Sequence, residues 1–136
     1  MRRSPFTELL EVAMQQATLA STSAEWKELL ARKDTGIIHS LEEWKASFDK
    51  HKSLHPLAKC DQKSIDEFTN KLTFKNGGLG HAEYGMIVNQ LSASDLEALW
   101  GLFGIGPELS KGFENRYCEK PGTCKGMTNS YCTDHC

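Results

Sequence analysis

Four of the five cysteines in this 136-residue chain lie within its last nineteen residues, and they are the side chains best suited to chemistry. They are Cys118, Cys124, Cys132 and Cys136, separated by five, seven and three residues. Clustered thiols can form disulfides, bind a soft metal ion, or undergo covalent modification. The role of the segment depends on which of these states the cysteines adopt.

Two disulfides are the interpretation that we favour, because a segment this short cannot bury a hydrophobic core of its own. Four cysteines allow three pairings, and their spacing does not select one. Disulfides indicate an oxidising environment. The N-terminal stretch does not identify a route there, since Glu8 and Glu11 interrupt the apolar run of a signal peptide and no export signal is recognisable. The localisation therefore stays open.

A structural zinc site is the second interpretation, with ligands drawn from Cys118, Cys124, Cys132, His135 and Cys136. Such sites usually take two pairs of ligands, each pair spaced by two to four residues. The first two cysteines are five residues apart, which fits this pattern poorly. We expect no cofactor if the cysteines form disulfides, and zinc if they do not.

The third interpretation is covalent modification of the cysteines. Residues 90–101, with the sequence QLSASDLEALWG, resemble the ending of leader peptides in ribosomally made, post-translationally modified peptides. The resemblance implies a helical leader of about residues 1–104 that docks a maturation enzyme, followed by a Cys/Ser/Thr-rich core that forms thioether rings. The chain departs from that pattern at residues 101–104, where Gly-Leu-Phe-Gly stands in place of a double-glycine cleavage signal.

Other residues that could do chemistry are few. His51 and His55 are four apart, but Pro56 makes a continuing helix doubtful, so we expect two exposed histidines at a fraying helix end. Cys60 is expected to be a small buried residue, and a catalytic pair with His81 has no local signature. We therefore name no catalytic residue and favour a protein that is not an enzyme.

Apolar residues recur every three or four positions through most of the chain, which is the period of amphipathic helices. Residues 6–17 follow this pattern, as do Ile65, Phe68 and Leu72. Ser40 and Ser92 are each followed three residues later by an acidic residue, which is typical of helix N-termini. The pattern predicts an all-α fold, a compact bundle of about five to seven short helices with a small C-terminal cysteine-rich appendix.

Asn76-Gly77-Gly78-Leu79-Gly80 is the strongest break in this pattern, because its three glycines permit backbone angles that other residues resist. It lacks the spacing of a phosphate-binding loop. The flanks could pair as a short hairpin, since Leu72-Thr73-Phe74 alternates, but the residues after the glycines do not alternate. We therefore interpret residues 76–80 as a loop that forms a hinge within a helical domain of residues 1–106.

Residues 107–136 are expected to form a helix followed by the cysteine-rich appendix, packed on the same domain. Leu109, Phe113 and Tyr117 recur every four residues, which predicts the helix. Thr128 would cap a last helical turn that places the final two cysteines on one face.

Charge and hydropathy exclude some classes of function. The 16 basic and 18 acidic residues are spread along the chain without a basic block, so we expect no nucleic-acid partner. No apolar run approaches the roughly 20 residues of a membrane-spanning helix. The sequence predicts a small soluble binding or regulatory protein with a disulfide-stapled C-terminal segment and an unidentified protein partner. The candidate interaction residues are Gly77, Gly78, Gly80, Tyr84 and Trp100.

Overall fold

The computed structural model describes residues 19–32 and 36–136, so the helix predicted at residues 6–17 lies outside the described part of the chain. The described elements, in chain order, are α1 (Ser23–Ala31), α2 (Leu41–His51), a 3-10 turn (Lys52–Leu54), α3 (Gln62–Asn70), β1 (Thr73–Lys75), β2 (Gly78–Glu83), α4 (Gly85–Val88), α5 (Ala93–Gly101), α6 (Pro107–Phe113), β3 (Glu114–Lys120) and β4 (Thr123–Cys132). None of these helices is both long and apolar enough to cross a membrane.

The all-α prediction is wrong, because four strands form one antiparallel sheet in the order β1-β2-β4-β3. The fold is therefore α+β. The sheet escaped prediction because β1 has only three residues, and because most residues of β3 and β4 are exposed or half-buried and do not alternate in polarity. A strand without alternation carries no period-two signal.

Residues 76–80 form a hairpin turn and the start of a strand, so the prediction of a loop there is wrong. Lys75 pairs with Gly78, which leaves Asn76 and Gly77 as a two-residue turn with φ angles of 53° and 78°. Two successive positive φ angles are typical of a type I′ turn, for which Asn-Gly is a preferred sequence. Gly78 and Gly80 lie inside β2 and are buried. The proposed hinge stays a prediction.

The helix predicted to reach Tyr117 is shorter than expected. It ends at Phe113, and β3 begins at the next residue. The helical turn predicted after Thr128 is also wrong, because Thr128 lies within β4. The predicted helix extended too far because Tyr117, four residues after Phe113, lies on a strand. Three apolar residues at this spacing are too few to predict a helix.

The predicted N-terminus of α5 is confirmed. Ser92 accepts a hydrogen bond from the backbone N–H of Asp95, whose carboxylate accepts one from the N–H of Ser92. At α2, Ser40 likewise accepts from the N–H of Glu43, but the carboxylate of Glu43 accepts from His39 instead. Each arrangement satisfies amides that the helix itself leaves unpaired.

One aromatic core joins the helices to the sheet. The ring of Trp100 on α5 stacks on Tyr131 of β4, with the centroids 3.8 Å apart. Trp44 on α2 stacks on Phe103, with the centroids 5.6 Å apart. All four rings are almost completely buried. The end of β4 is therefore part of the main hydrophobic core. Cys132 directly follows Tyr131, so this cysteine lies at the edge of that core.

Candidate functional site

The hairpin formed by β3 and β4 folds back on itself. Cys124 and Cys132 lie near opposite ends of β4, yet their Cα atoms are only 5.9 Å apart. Eight residues of regular strand would separate them by roughly 26 Å. β4 must therefore bend sharply between these two cysteines, which returns the tip of the hairpin toward the end of the chain.

A change of register marks the position of the bend. Glu114 pairs with Tyr131, but Arg116, two residues later, pairs with Gly126, five residues earlier on β4. The surplus residues of β4, 127–130, therefore lie outside the β3–β4 ladder, although Ser130 still pairs with Glu83 of β2. A bulge of this kind bends a strand and increases its twist.

Two asparagines in left-handed conformations hold the bend. Asn115 and Asn129 have φ angles of 59° and 64°, which asparagine tolerates better than most residues. The side-chain oxygen of Asn115 accepts a hydrogen bond from the N–H of Asn129 at 3.0 Å and from the hydroxyl of Tyr84 at 3.2 Å. The bend is thus tied to the chain segment between β2 and α4.

The prediction of two disulfides in this segment is confirmed. Cys118 is bonded to Cys136, with their Cα atoms 5.7 Å apart, and Cys124 is bonded to Cys132. Cys118 and Cys124 face each other across the hairpin. Each arm of the hairpin is therefore joined covalently to the end of β4 or to the segment that follows it. The N–H of Gly122, at the hairpin tip, also donates to the carbonyl of Cys136 at 3.0 Å.

The residues proposed as zinc ligands are only partly brought together. The Sγ atoms of Cys118, Cys132 and Cys136 all lie within 4.8 Å of one another. Cys124 is adjacent through its bond to Cys132. His135 is held elsewhere, because its Nδ1 lies 3.0 Å from the carbonyl oxygen of Lys75. The cluster is therefore a group of three sulfurs with Cys124 bonded beside it, and the imidazole is not a member.

The segment after β4 packs tightly against β2. The N–H of Thr133 donates to the carbonyl of Gly80 at 3.0 Å, and its hydroxyl donates to the carbonyl of Leu79. A Cβ atom at Gly80 would lie 2.9 Å from the carbonyl oxygen of His135. Glycine is therefore required at this position by the close approach of the chain that carries the last cysteine.

The candidate interaction residues occupy different environments. Tyr84 and Trp100 are 5% and 1% exposed, and they support the hairpin from inside the core. Gly78 and Gly80 are buried in β2, whereas Gly77 is exposed at its turn. The role of these residues in binding a partner stays a prediction. Gly77 is the one of the five that is exposed to solvent.

A buried serine–histidine pair was missed by the sequence analysis. His55, expected to be exposed, is 3% exposed, and its ring stacks on Phe48 with the centroids 3.9 Å apart. Its Nε2 lies 3.0 Å from Oγ of Ser47, which is also buried. The two residues are eight apart and joined through the 3-10 turn, a connection that no short motif describes.

The hydrogen bonds of this pair run in the wrong direction for nucleophilic catalysis. The N–H of Leu57 donates to Nδ1 of His55, so the neutral ring carries its proton on Nε2 and donates to Ser47. Ser47 in turn donates to the carbonyl of Trp44. Burial, together with nearby His51, lowers the pKa of His55 to about 4. A base that activated Ser47 would have to accept the serine proton instead.

Cys60 also lacks the environment of a nucleophile. Burial raises the pKa of its thiol, and the negative charges of Asp61 and Asp95 raise it further. Within the described part of the chain, no hydrogen bond joins Cys60 to His81. A thiol with a raised pKa is a weak nucleophile near neutral pH, because the thiolate is the reactive form.

No protein-family model, curated protein or solved structure matches the chain. The resemblance to leader peptides therefore rests on residues 90–101 alone. In the structure these residues form α5 and its N-terminal cap, and Leu99 and Trp100 are buried.

Proposed function

We propose that the chain is a non-enzymatic binding protein that uses its folded-back β3–β4 hairpin to contact a protein partner. The observation that carries the proposal is the exposure of the segment Lys125–Thr128, whose four residues are all exposed and lie at the bend enclosed by the Cys124–Cys132 disulfide. Met127, at the bend, is 51% exposed although it is a large apolar side chain.

The bend is pre-organised for binding. The disulfide from Cys124 to Cys132 closes the segment, and the side chain of Asn115 caps it from the opposite strand. A segment that is already ordered loses little conformational entropy when it binds, so more of its contact energy appears as affinity. Methionine is enriched at protein interfaces and adapts its shape to apolar pockets. We therefore expect the partner to carry an apolar pocket that accepts the side chain of Met127.

The surroundings of Met127 resemble the polar rim of an interface. Lys125 forms an ion pair with Glu119 across the hairpin at 3.0 Å, and Arg116 is exposed nearby on β3. Exposed ion pairs contribute little to the stability of a fold. The charges around Met127 instead help to select the partner and to orient it. The disulfides accord with a binding protein that acts in an oxidising environment.

The precursor hypothesis receives less support from the same geometry. A leader ending near residue 104 and a core after it would be separated by cleavage, yet Trp100 and Tyr131 from the two parts stack with their centroids 3.8 Å apart. Cleavage would expose both rings. The cysteines needed for thioether rings are also bonded to one another.

Site-specific photo-crosslinking tests the proposal. A photoreactive amino acid replaces Met127 in one variant and Leu54 in the control, since Leu54 is 58% exposed on the 3-10 turn away from the hairpin. The variant at position 127, with both disulfides formed, is expected to crosslink one protein. The source of that protein is an extract of the cells that produce the chain, or the medium into which they secrete. Excess unlabelled chain should compete for the partner and lower the yield of the product. Equal crosslinking from both positions, or a yield that excess unlabelled chain does not lower, would overturn the proposal.

A further inference from the structure

We propose that the four clustered cysteines bind one zinc ion as thiolates when both disulfides are reduced. Three of the Sγ atoms, those of Cys118, Cys132 and Cys136, already lie within 4.8 Å of one another. With Zn–S bonds of about 2.3 Å, the sulfurs of a tetrahedral site are about 3.8 Å apart. The three sulfurs therefore need to move by no more than about an ångström, which side-chain rotation supplies.

Cys124 provides the fourth ligand. Its sulfur is now bonded to that of Cys132, and it faces Cys118 across the hairpin. Side chains that face each other in an antiparallel pair have Cβ atoms roughly 5 Å apart. Cys124 is thus a neighbour of two of the other three cysteines, but its sulfur lies outside the 4.8 Å group and has to move farther than theirs. The result is a four-cysteine site, one of the ordinary ligand sets of structural zinc.

The backbone that gathers the sulfurs does not depend on the disulfides alone. The hairpin tip is hydrogen-bonded to the end of the chain through Gly122 and Cys136. The bend is held by Asn115, and the segment after β4 is held by Thr133, which bonds to β2. These contacts survive reduction of the sulfurs, so the four thiols remain close together in the reduced chain.

The two states of the cluster exclude each other chemically. A dithiol reductant gives each disulfide two electrons and two protons and itself becomes a disulfide, so two dithiols yield four protein thiols. Four thiols that bind one Zn²⁺ release four protons, and the zinc keeps its oxidation state. A disulfide sulfur carries no thiolate charge for the metal. The same cross-link between hairpin and chain end is therefore made by sulfur–sulfur bonds in one state and by zinc in the other.

Access favours exchange between these states. Cys118 and Cys124 are half-buried on the hairpin arms, whereas Cys132 is completely buried. A reductant reaches each disulfide through its hairpin cysteine, since each bridge joins one of these to a buried partner. This proposal does not depend on the binding function proposed for Met127.

The test measures zinc uptake by the full chain in both redox states. The protein is reduced with a phosphine that does not bind zinc strongly, freed of reductant without oxygen, and exposed to Zn²⁺. Native mass spectrometry is expected to find one zinc per reduced chain and none per oxidised chain. Cys60→Ser, which alters the cysteine outside the cluster, should retain zinc. Cys118→Ser/Cys136→Ser should weaken zinc binding at least ten-fold.

Two further measurements keep the test decisive if that double variant does not fold. Circular dichroism of the reduced wild-type chain should show native secondary structure with zinc. Co²⁺, which reports its thiolate ligands by absorption, should give a four-thiolate spectrum in wild type and a weaker one in Cys124→Ser. The proposal is wrong if the reduced chain takes up no zinc, if oxidised and reduced chains take up equal amounts, or if Cys60→Ser and Cys124→Ser bind Co²⁺ alike.

Discussion

The α2 region and the β3–β4 hairpin are stabilised in different ways. Around α2, Trp44 and His55 are completely or almost completely buried and lie in aromatic contact with each other. On the hairpin, residues 119–122 and 125–128 are exposed, and covalent bonds replace the missing burial. A part of the fold that buries little apolar surface gains little from the hydrophobic effect, so cross-links contribute most where burial contributes least.

This difference predicts that the two regions respond to different conditions. The α2 region encloses a neutral histidine, so it should be sensitive to acid. The hairpin contains the two disulfides, so it should be sensitive to reductant. Trp100 gives the two regions a shared contact, because its ring stacks on Tyr131 of β4 and lies 6.3 Å from the ring of Phe68, which lies 5.5 Å from Trp44.

Trp100→Ala should have the largest effect, because it removes this shared contact. Replacing a fully buried tryptophan by alanine costs about 3–5 kcal/mol of unfolding free energy. Urea unfolding followed by circular dichroism measures the change. Met127→Ala, at an exposed position, should change the unfolding free energy by less than about 0.5 kcal/mol. Similar losses in the two variants would mean that the stacked pair does not support the fold.

Acid should weaken the protein through His55. The unfolded residue titrates near its ordinary pKa of about 6.5, whereas burial lowers the folded pKa to about 4. Between these pH values the unfolded chain binds a proton that the folded chain excludes. The free energy of unfolding should therefore fall by up to about 3 kcal/mol as the pH drops from about 6.5 to 4, and His55 should contribute no change above that window.

His55→Phe is the control for this pH effect. It keeps an aromatic ring at the position and removes the titratable group, so it should lower stability at neutral pH but flatten the slope between pH 6.5 and 4. The measurement is urea unfolding at several pH values. An unchanged slope would show that another group is responsible. Direct NMR titration should find the His55 ring still neutral at pH 5.

Removing the bridge between the hairpin and the chain end should lower the free energy of unfolding by about as much as acid does through His55. The loss should be felt mainly in the hairpin. Cys118→Ala/Cys136→Ala opens a loop with a sequence separation of 18, for which loop entropy predicts a loss of about 3 kcal/mol. Hydrogen exchange should become faster at residues 116–126. Protection in α5 should change only as much as global stability does. Uniform loss of protection in both regions would show that the hairpin and the helical core are not stabilised separately.

The sequence contained the chemistry of the hairpin but not its shape. Four cysteines close together predicted disulfides, because thiols so near in sequence can meet in several geometries. The bend at Asn115 could not be predicted, since it depends on a register change and on the hydroxyl of Tyr84, thirty-one positions away along the chain. The pairing of Cys118 with Cys136 follows from that bend, and spacing alone cannot select it.

The capped helix α5 was predicted well, and the short elements were not. Ser92 and Asp95 marked the start of α5 because a capping box is a local interaction. His55 was misjudged because its burial depends on Phe48 and Ser47 from another element. The Asn76-Gly77 pair was a hairpin signal, but β1 has only three residues and β2 is buried along most of its length, so β2 does not alternate between apolar and polar residues.

Gly77→Ala tests that turn and should have the smallest of these effects. At a φ angle of 78° a residue with a Cβ atom is strained by about 1–2 kcal/mol. Gly126→Ala is the matched control, because its φ angle is not positive and no atom lies within 4 Å of the added Cβ. Chemical denaturation of both variants measures the difference. Because β1 and β2 have no disulfide to hold them, the loss at Gly77 should be accompanied by faster exchange in both strands, whereas equal stability of the two variants would show that the turn is not of this type.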